Sequence, residues 1–424
     1  MKRTAYFLAS VAAAAVIAAC GNGEEAGPAA TSTAVVTLQP TPGETPGAES
    51  GLLSQEAPTE GAYPIDLAAG RWTRVLPTHQ EFPPFAAISP DGETIVYRDE
   101  NGLVAADIDG ADQRRIAEAG IDLRYPSAAF SPDGETLAIW GASEGAALTL
   151  LPWPDGEPLP VDLPESVHYA AWSGDVLAVG TGPRGFGDVN AVYVVYPDGR
   201  AVQVPNLLPA GLPPLVPAPD QRRLALWVRV AAGSVVLTLA PGEEPQRLVE
   251  LPGQGIDGLS WSSDGALLAA VVERPSQIAP NFLDSDVQVI DTATGALRFT
   301  VTSAGGAAWS PALPLLLVDN FCGDFQQLLV DGDGSDLRPL IGDPQGGTLG
   351  DVWSPDGRRV ATTWAEERTV TAINVESGER ETLIRGPQAF NLQWPTADHL
   401  VFNTIGVAGF CEDTVRGETR VVFP

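Results

Sequence analysis

The chain has 424 residues, with 54 Asp plus Glu against 24 Lys plus Arg, a formal net charge of −30. That balance argues against nucleic acid and anionic lipid head groups as direct partners, since both need a basic surface. Glycine (45) and proline (38) are abundant and no long helical periodicity follows the first twenty residues, so the length suits one large all-β domain plus a tail.

The N-terminus is separate from that domain. Met1-Lys2-Arg3 is a basic start, and Ala5 to Ala19 is an apolar run too short for a usual membrane span. It ends in Ile17-Ala18-Ala19-Cys20-Gly21, which resembles the bacterial lipobox. The resemblance implies cleavage before Cys20 and lipid attached to it, hence residues 1–19 as signal peptide and a chain held to a membrane on its extracytoplasmic side. Residues 20–61 are rich in Pro, Thr, Ala, Glu and Gly, a composition that buries no core, and read as a disordered tether. Lys2 is the only lysine, so the processed chain carries 22 Arg (24 − 2) against 54 acids, a net of −32. The acidic surface is read as a solubility device for an exported domain.

From residue 62 a repeat takes over. Tyr63 to Gly70 and Arg71 to Leu76 read as strands. Then Ser89-Pro90-Asp91-Gly92 precedes the β-rich Thr94-Ile95-Val96-Tyr97. Pro presets the second position of a type I turn, Asp suits the third, and Gly takes the left-handed position after it, so the unit is strand, tight turn, strand. Copies start at Ser131, Ser173, Ala218, Ser262, Ser310, Ser354 and Pro395, at successive spacings of 42, 42, 45, 44, 48, 44 and 41 residues. Some copies are degraded: Gln221 stands where the glycine should be, and Trp394-Pro395 is the weakest. A third strand ending in glycine rides behind most turns, as in Val287 to Gly295, and a fourth follows, as in Leu297 to Val301. Four strands per unit at a period of about 40–45 residues is the propeller signature.

The Ser-Pro-Asp-Gly turn, the apolar strand after it and the V-x-V-x-D-x-x-x-G strand together resemble the TolB-like (WD-repeat-like) β-propeller repeat, over nearly all of the chain after residue 62. The resemblance implies an all-β propeller over residues 62–424, eight four-stranded blades with seven as the alternative. After Leu400-Val401-Phe402 the only clear strand is Thr419 to Phe423, so the last blade lacks outer strands, and the N-terminal pair is expected to supply them.

Function is less legible. Gly141-Ala142-Ser143-Glu144-Gly145 matches a hydrolase elbow pattern but joins two blade strands, and the three histidines, His79, His168 and His399, have no motif linking them to Ser143. Asp331 to Asp336 hints at a calcium loop but lacks the glycine and glutamate such a loop needs, so it reads as a turn. No catalytic residue, metal site or cofactor is expected. Cys322 and Cys411, in Phe321-Cys322-Gly323-Asp324 and Phe410-Cys411-Glu412-Asp413, lie in loops on one face, and export permits them to form a disulfide. The other long loops on that face carry Arg184, Phe186 and Asp188, and Arg274, Asn281 and Phe282; with Phe321 and Phe410 these are the candidates for a binding surface. The expectation is a lipid-anchored protein of the cell envelope acting as a protein-binding or scaffold module. The TolB-like resemblance implies protein contacts but no particular partner. The alternatives are an extracytoplasmic hydrolase-type enzyme with its site at the channel mouth, or a ligand sensor. Such repeats also resemble the propeller of prolyl-oligopeptidase-type peptidases. Those need an attached hydrolase domain, for which no room is expected before Pro424.

Overall fold

The computed structural model describes residues 61–66, 71–72, 85–99, 102–108, 110–118, 128–141, 147–182, 189–205, 215–275, 283–319, 327–340, 348–364, 369–385, 389–404 and 420–422. The repeated turn is built as its residues require. At the first copy the N–H of Gly92 donates to the Ser89 carbonyl at 2.9 Å. The Ser89 hydroxyl accepts the N–H of Thr94 at 2.8 Å and donates to Asp91, whose carboxylate also accepts the N–H of Glu93. The copies at Ser131, Ser262 and Ser354 repeat this network, so a buried serine is fully satisfied each time. The glycine takes φ of 74° at Gly92 and 67° at Gly357. A side chain at Gly357 would also collide with Ser310 of the preceding unit. In the degenerate copy Gln221 itself adopts φ 52°.

The described residues form eight antiparallel sheets. Apart from one edge strand added to the fifth, seven are continuous in sequence, at 85–118, 128–161, 166–203, 216–252, 255–302, 306–339 and 348–385, and are called blades one to seven here. Blade eight is made from both ends of the chain, in the order Ala389–Gln393, His399–Thr404, Gly61–Asp66 and Arg71–Trp72 from inside outward. Tyr63 lies opposite Phe402 and Ile65 opposite Leu400, which is the closure expected from the missing outer strands. The C-terminal strand Arg420–Val422 has a place the sequence did not suggest: it pairs with Leu297–Thr302 as a fifth strand on the outer edge of blade five.

Burial grades from the inside of each blade outward. The second strand Val176–Gly182 is buried along its whole length, whereas the outer strand Gln246–Pro252 is mostly exposed. Neighbouring blades cover both faces of the inner strands, so those strands need apolar residues at successive positions rather than alternate ones. The core is therefore a set of eight clusters, one at each junction between blades. The junction that closes the ring packs Val401 of blade eight against Ile95, Tyr97, Val104 and Ala106 of blade one.

Two contacts recur across junctions. The tryptophan before the turn serine donates its indole N–H to a carbonyl on the inner strand of the preceding blade: Trp172 to Ala129, Trp261 to Val216 and Trp353 to Ala308, each at 3.0 Å. An arginine five residues after the turn start lies over the next tryptophan, Arg223 over Trp261 at 5.2 Å and Arg359 over Trp394 at 4.8 Å. The strand order also defines two surfaces. The tight turns project from one, the turn face. The connections from second to third strand and from blade to blade leave the other, the loop face.

Candidate functional site

The four loops singled out from the sequence, after the second strands of blades three, five, six and eight, all leave from the loop face, because every second strand runs from a tight turn to that side. Arg184, Phe186, Asp188, Asn281, Phe282, Phe321, Phe410, both Cys322 and Cys411, and Cys20 lie outside the described residues, as does Ser143. Arg274 is described. Its Nε bonds Asp286 Oδ1 at 3.0 Å and its guanidinium reaches Ser303 Oγ at 3.4 Å, while the N–H of Ser303 donates to the same Asp286 oxygen at 2.9 Å. Ser303 stands at φ 57°, at the exit of blade five. Arg274 thus holds the loop-face end of that blade in shape as well as lying on the predicted surface. The Asp331 to Asp336 segment is the expected turn: the N–H of Gly334 donates to the Asp331 carbonyl at 2.8 Å, and Asp333 accepts from Ser335.

Two groups that the motif search missed lie on the loop-face side of the ring. One joins blades four and five. Asp257 sits at a bulge in the inner strand Gly255–Trp261, where the register slips between Ile256 and Gly258. A bulge re-aims one side chain out of the strand pattern. Burial pushes the Asp257 carboxyl up to about 7, helped by the negative charge of Glu273 and a hydrogen bond with it, while Arg229 pulls the other way. Arg229 NH2 lies 3.4 Å from Glu273 Oε2.

The other joins blades six and seven and consists of Asp319, Gln327, Asp351 and Thr362. Gln327 is 2% exposed and Thr362 fully buried. The Gln327 Nε2 group donates to Asp351 Oδ1 and to Thr362 Oγ1, the latter at 3.1 Å. Thr362 and the Asp319 carboxyl also bond Asp351. Burial, then the neighbouring Asp351 charge, push Asp319 well above the usual carboxylate range; burial also raises Asp351, against the hydrogen bonds it accepts. Two carboxyls so close cannot both ionise freely, and both are raised. Asp319 Oδ1 and Gln327 Oε1 are sealed from solvent and have no hydrogen-bond partner among the described residues.

The two carboxyls differ in how far they depart from the repeat. Counting from the turn serine, Asp319 is nine residues on, a mixed position where other blades place Trp140, Trp227 and Val271 but also Arg98 and Thr363. Asp351 is three residues before it, where others place Ala128, Ala170, Leu259 and Ala307. Gln327 lies opposite Asp319, and the matching residues opposite Trp140 and Val271 are Leu148 and Val287. Toward the turn face the same junction is ordinary core, with Leu317, Leu329, Trp353, Val360 and Ile373. Asp351 therefore breaks the apolar rule of its column, and its pairing with Asp319 makes this junction a candidate site.

No protein-family model matches the sequence, and no curated protein matches it. Solved structures do. The dihydro-heme d1 dehydrogenase NirN is similar over 80% of this chain and 76% of its own, at 17% identity and a TM-score of 0.54. The Dos1 propeller is similar over 78% of this chain and 93% of its own, at 14% identity and the same TM-score of 0.54. A TolB protein from Agrobacterium tumefaciens, described as putative in its own structure's name, covers 82% of this chain and 98% of its own at 14% identity and a TM-score of 0.41. With the eight sheets, the likenesses to NirN and the Dos1 propeller make the fold of this chain a β-propeller, as its repeats led one to expect.

Proposed function

We propose that this propeller is a lipid-anchored module of the cell envelope that binds a protein partner on its loop face. The fold alone does not carry that reading, because propellers host unrelated functions. The observation that carries it is the convergence of the long connections of blades three, five, six and eight on one face, set by strand order. Gly61, the first described residue, pairs with Thr404 at the loop-face end of blade eight, so a tether from Cys20 would join the ring on the same side. About forty coil residues span roughly 35 Å, which keeps that face close to the surface holding the anchor. A Cys322–Cys411 bridge would draw two of the loops together there.

Site-specific photo-crosslinking tests the reading. A crosslinker at Phe186 or Phe282 should capture one discrete protein from intact envelopes, and a crosslinker at Asp91 or Asp133 on the turn face should not. Capture from the turn face alone would refute it. Labelled fatty acid should enter the wild type and not Cys20→Ala, and non-reducing peptide mapping should find Cys322 joined to Cys411. A second reading, an enzyme, would draw on the Asp319–Asp351 pair, since two carboxyls sharing a proton supply an acid and a base side by side. Turnover of a hydrolase substrate that Asp351→Asn abolishes would favour it.

A further inference from the structure

We infer that the outer edge of blade five is a docking surface for a second copy of this chain, whose Arg420–Val422 strand takes the place that the chain's own strand fills within one molecule. Two copies that exchange the strand reciprocally make a two-fold dimer. In the structure Arg420, Val421 and Val422 lie opposite Thr302, Val301 and Thr300. The ladder itself therefore shows which sequence the edge accepts, and a second copy brings the same backbone donors and acceptors.

Three observations point to exchange. First, this edge lacks the usual protection. Native outer strands are kept from pairing with other molecules by shortness, charge or proline. Here Arg71–Trp72, Leu159–Val161, Ala201–Gln203 and Arg338–Pro339 have two or three residues each. Arg114–Glu118, Gln246–Pro252 and Arg380–Arg385 are longer but carry two or three charged residues apiece. Leu297–Thr302 has six residues, one charge at Arg298 and no proline, and it ends in the β-rich Phe299-Thr300-Val301-Thr302. Secondly, the strand on this edge is held by little. Three residue pairs join it to blade five, and among the described residues it pairs with no other strand. Thirdly, it is not the next strand of its blade. It follows Thr404 of blade eight after 15 residues (419 − 404), and blades six and seven stand between eight and five. Within one chain, closing that span costs loop entropy before the short ladder returns anything. Exchange keeps every pair of the ladder, so the two arrangements differ in that span and in protein concentration.

Monomer and exchanged dimer are then in equilibrium. A short tether presents its own strand at an effective concentration on the order of millimolar, so the closed monomer prevails in dilute solution and crowded copies shift toward the dimer. The edge lies on the rim of the ring, so the dimer leaves both the turn face and the loop face clear.

Covalent trapping tests this with the full-length chain, in a background where Cys20, Cys322 and Cys411 are replaced by Ala. One copy carries Thr300→Cys and the other Val422→Cys, positions that lie opposite each other in the ladder. Mixed and oxidised with glutathione disulfide, the two should join into a dimer on a non-reducing gel. The yield should rise with protein concentration. It should exceed by roughly tenfold or more that of Val422→Cys mixed with Thr382→Cys, on the charged outer strand of blade seven. Val421→Pro in the Val422→Cys copy removes a backbone donor and should cut the yield roughly tenfold, with circular dichroism unchanged. In sedimentation velocity the unaltered chain should shift from monomer toward dimer as it nears about 1 mM, and a chain truncated after residue 417 should stay monomeric. Trapping no better than the Thr382→Cys control overturns the proposal, as does a yield that Val421→Pro leaves intact. So does an unaltered chain that stays monomeric throughout, or a dimer that the truncated chain also makes. A free peptide of residues 418–424 that binds where no dimer forms overturns it as well, because the edge would then serve another protein's strand.

Discussion

Trp261 and Trp394 form a matched pair that isolates one hydrogen bond. Both precede the repeated turn, both are buried at 6% and 5% exposure, and each lies under an arginine from the blade before, Arg223 or Arg359. They differ at one atom. The indole N–H of Trp261 donates to the Val216 carbonyl at 3.0 Å in a buried setting, whereas that of Trp394 has no partner among the described residues. Replacing either by Phe removes similar volume and keeps a ring under the guanidinium. The packing loss is therefore common to both and falls in the usual range of about 1–3 kcal/mol for core truncation. Trp261→Phe additionally removes a made hydrogen bond, at roughly 0.5–1.5 kcal/mol, while Trp394→Phe removes a donor that was already unsatisfied. Trp261→Phe should thus be the more destabilising by about 0.5–1.5 kcal/mol. Guanidinium unfolding followed by tryptophan fluorescence and far-ultraviolet circular dichroism measures this, provided the slopes match between variants. The two sites are on separate junctions, so the double variant should be additive. Equal losses, or a larger loss for Trp394→Phe, would refute the assignment of the indole bond as a staple between blades.

Gly357→Ala should cost on the order of 1–2 kcal/mol in the same assay, because φ 67° is unfavourable for a side chain and the new methyl meets Ser310. The Asp257 carboxyl is raised in the folded state, so that state binds the extra proton. Stability from this group is present below about pH 4 and is lost as pH rises to about 7; Asp257→Asn should flatten that part of the profile and be the more stable protein at pH 8. The turn carboxylates act with the opposite sign. Hydrogen bonds hold Asp133 and Asp356 below their ordinary range, chiefly from Ser131 and Ser354, so their contribution is present near neutrality and lost as pH falls through their depressed folded-state values. Asp356→Asn should narrow the acid-unfolding difference, and an unchanged acid midpoint would argue against it. Deleting 61–72 should lower the unfolding midpoint of the whole ring, since Gly61–Asp66 seals blade eight; a variant that unfolds like the wild type would contradict that closure.

The blade architecture was legible because its cause is local. Ser89, Asp91 and Gly92 act within five residues of one another, and each copy repeats them, so the turn announces itself. The closure by the N-terminal strands was legible from a deficit, a last unit without outer strands. The place of Arg420–Val422 was not, because a short apolar strand fits any open edge, and only the assembled ring shows that of blade five. The pair Asp319 and Asp351 escaped for a related reason. The residues are 32 apart (351 − 319), each alone in an apolar strand, and no spacing motif links them. The signal lay in the register of the repeats, and for one residue only: aligned on the turn serine, Asp351 falls in a column of Ala and Leu, whereas the column of Asp319 also holds Arg98 and Thr363. Arg274 shows the converse limit. Its position on the loop face was read from the sequence, but its bond to Asp286 depends on the bend at Ser303.

The strand Gly61–Asp66 leaves the synthesis machinery ahead of every blade and finds its partner behind all of them: Tyr63 and Phe402 are 339 residues apart (402 − 63). Contacts of such sequence separation form late, because the intervening loop must be brought together before they return anything. Blades one to seven can stack as they emerge, each on the one before. Throughout that time the flank of blade one that carries Ile95 and Tyr97 has no cover, since Val401 has yet to be made. A chain halted early therefore presents a bare apolar face and an unpaired first strand together, the two features that drive association between incomplete molecules. For this molecule, making blade eight and hiding the core are the same event.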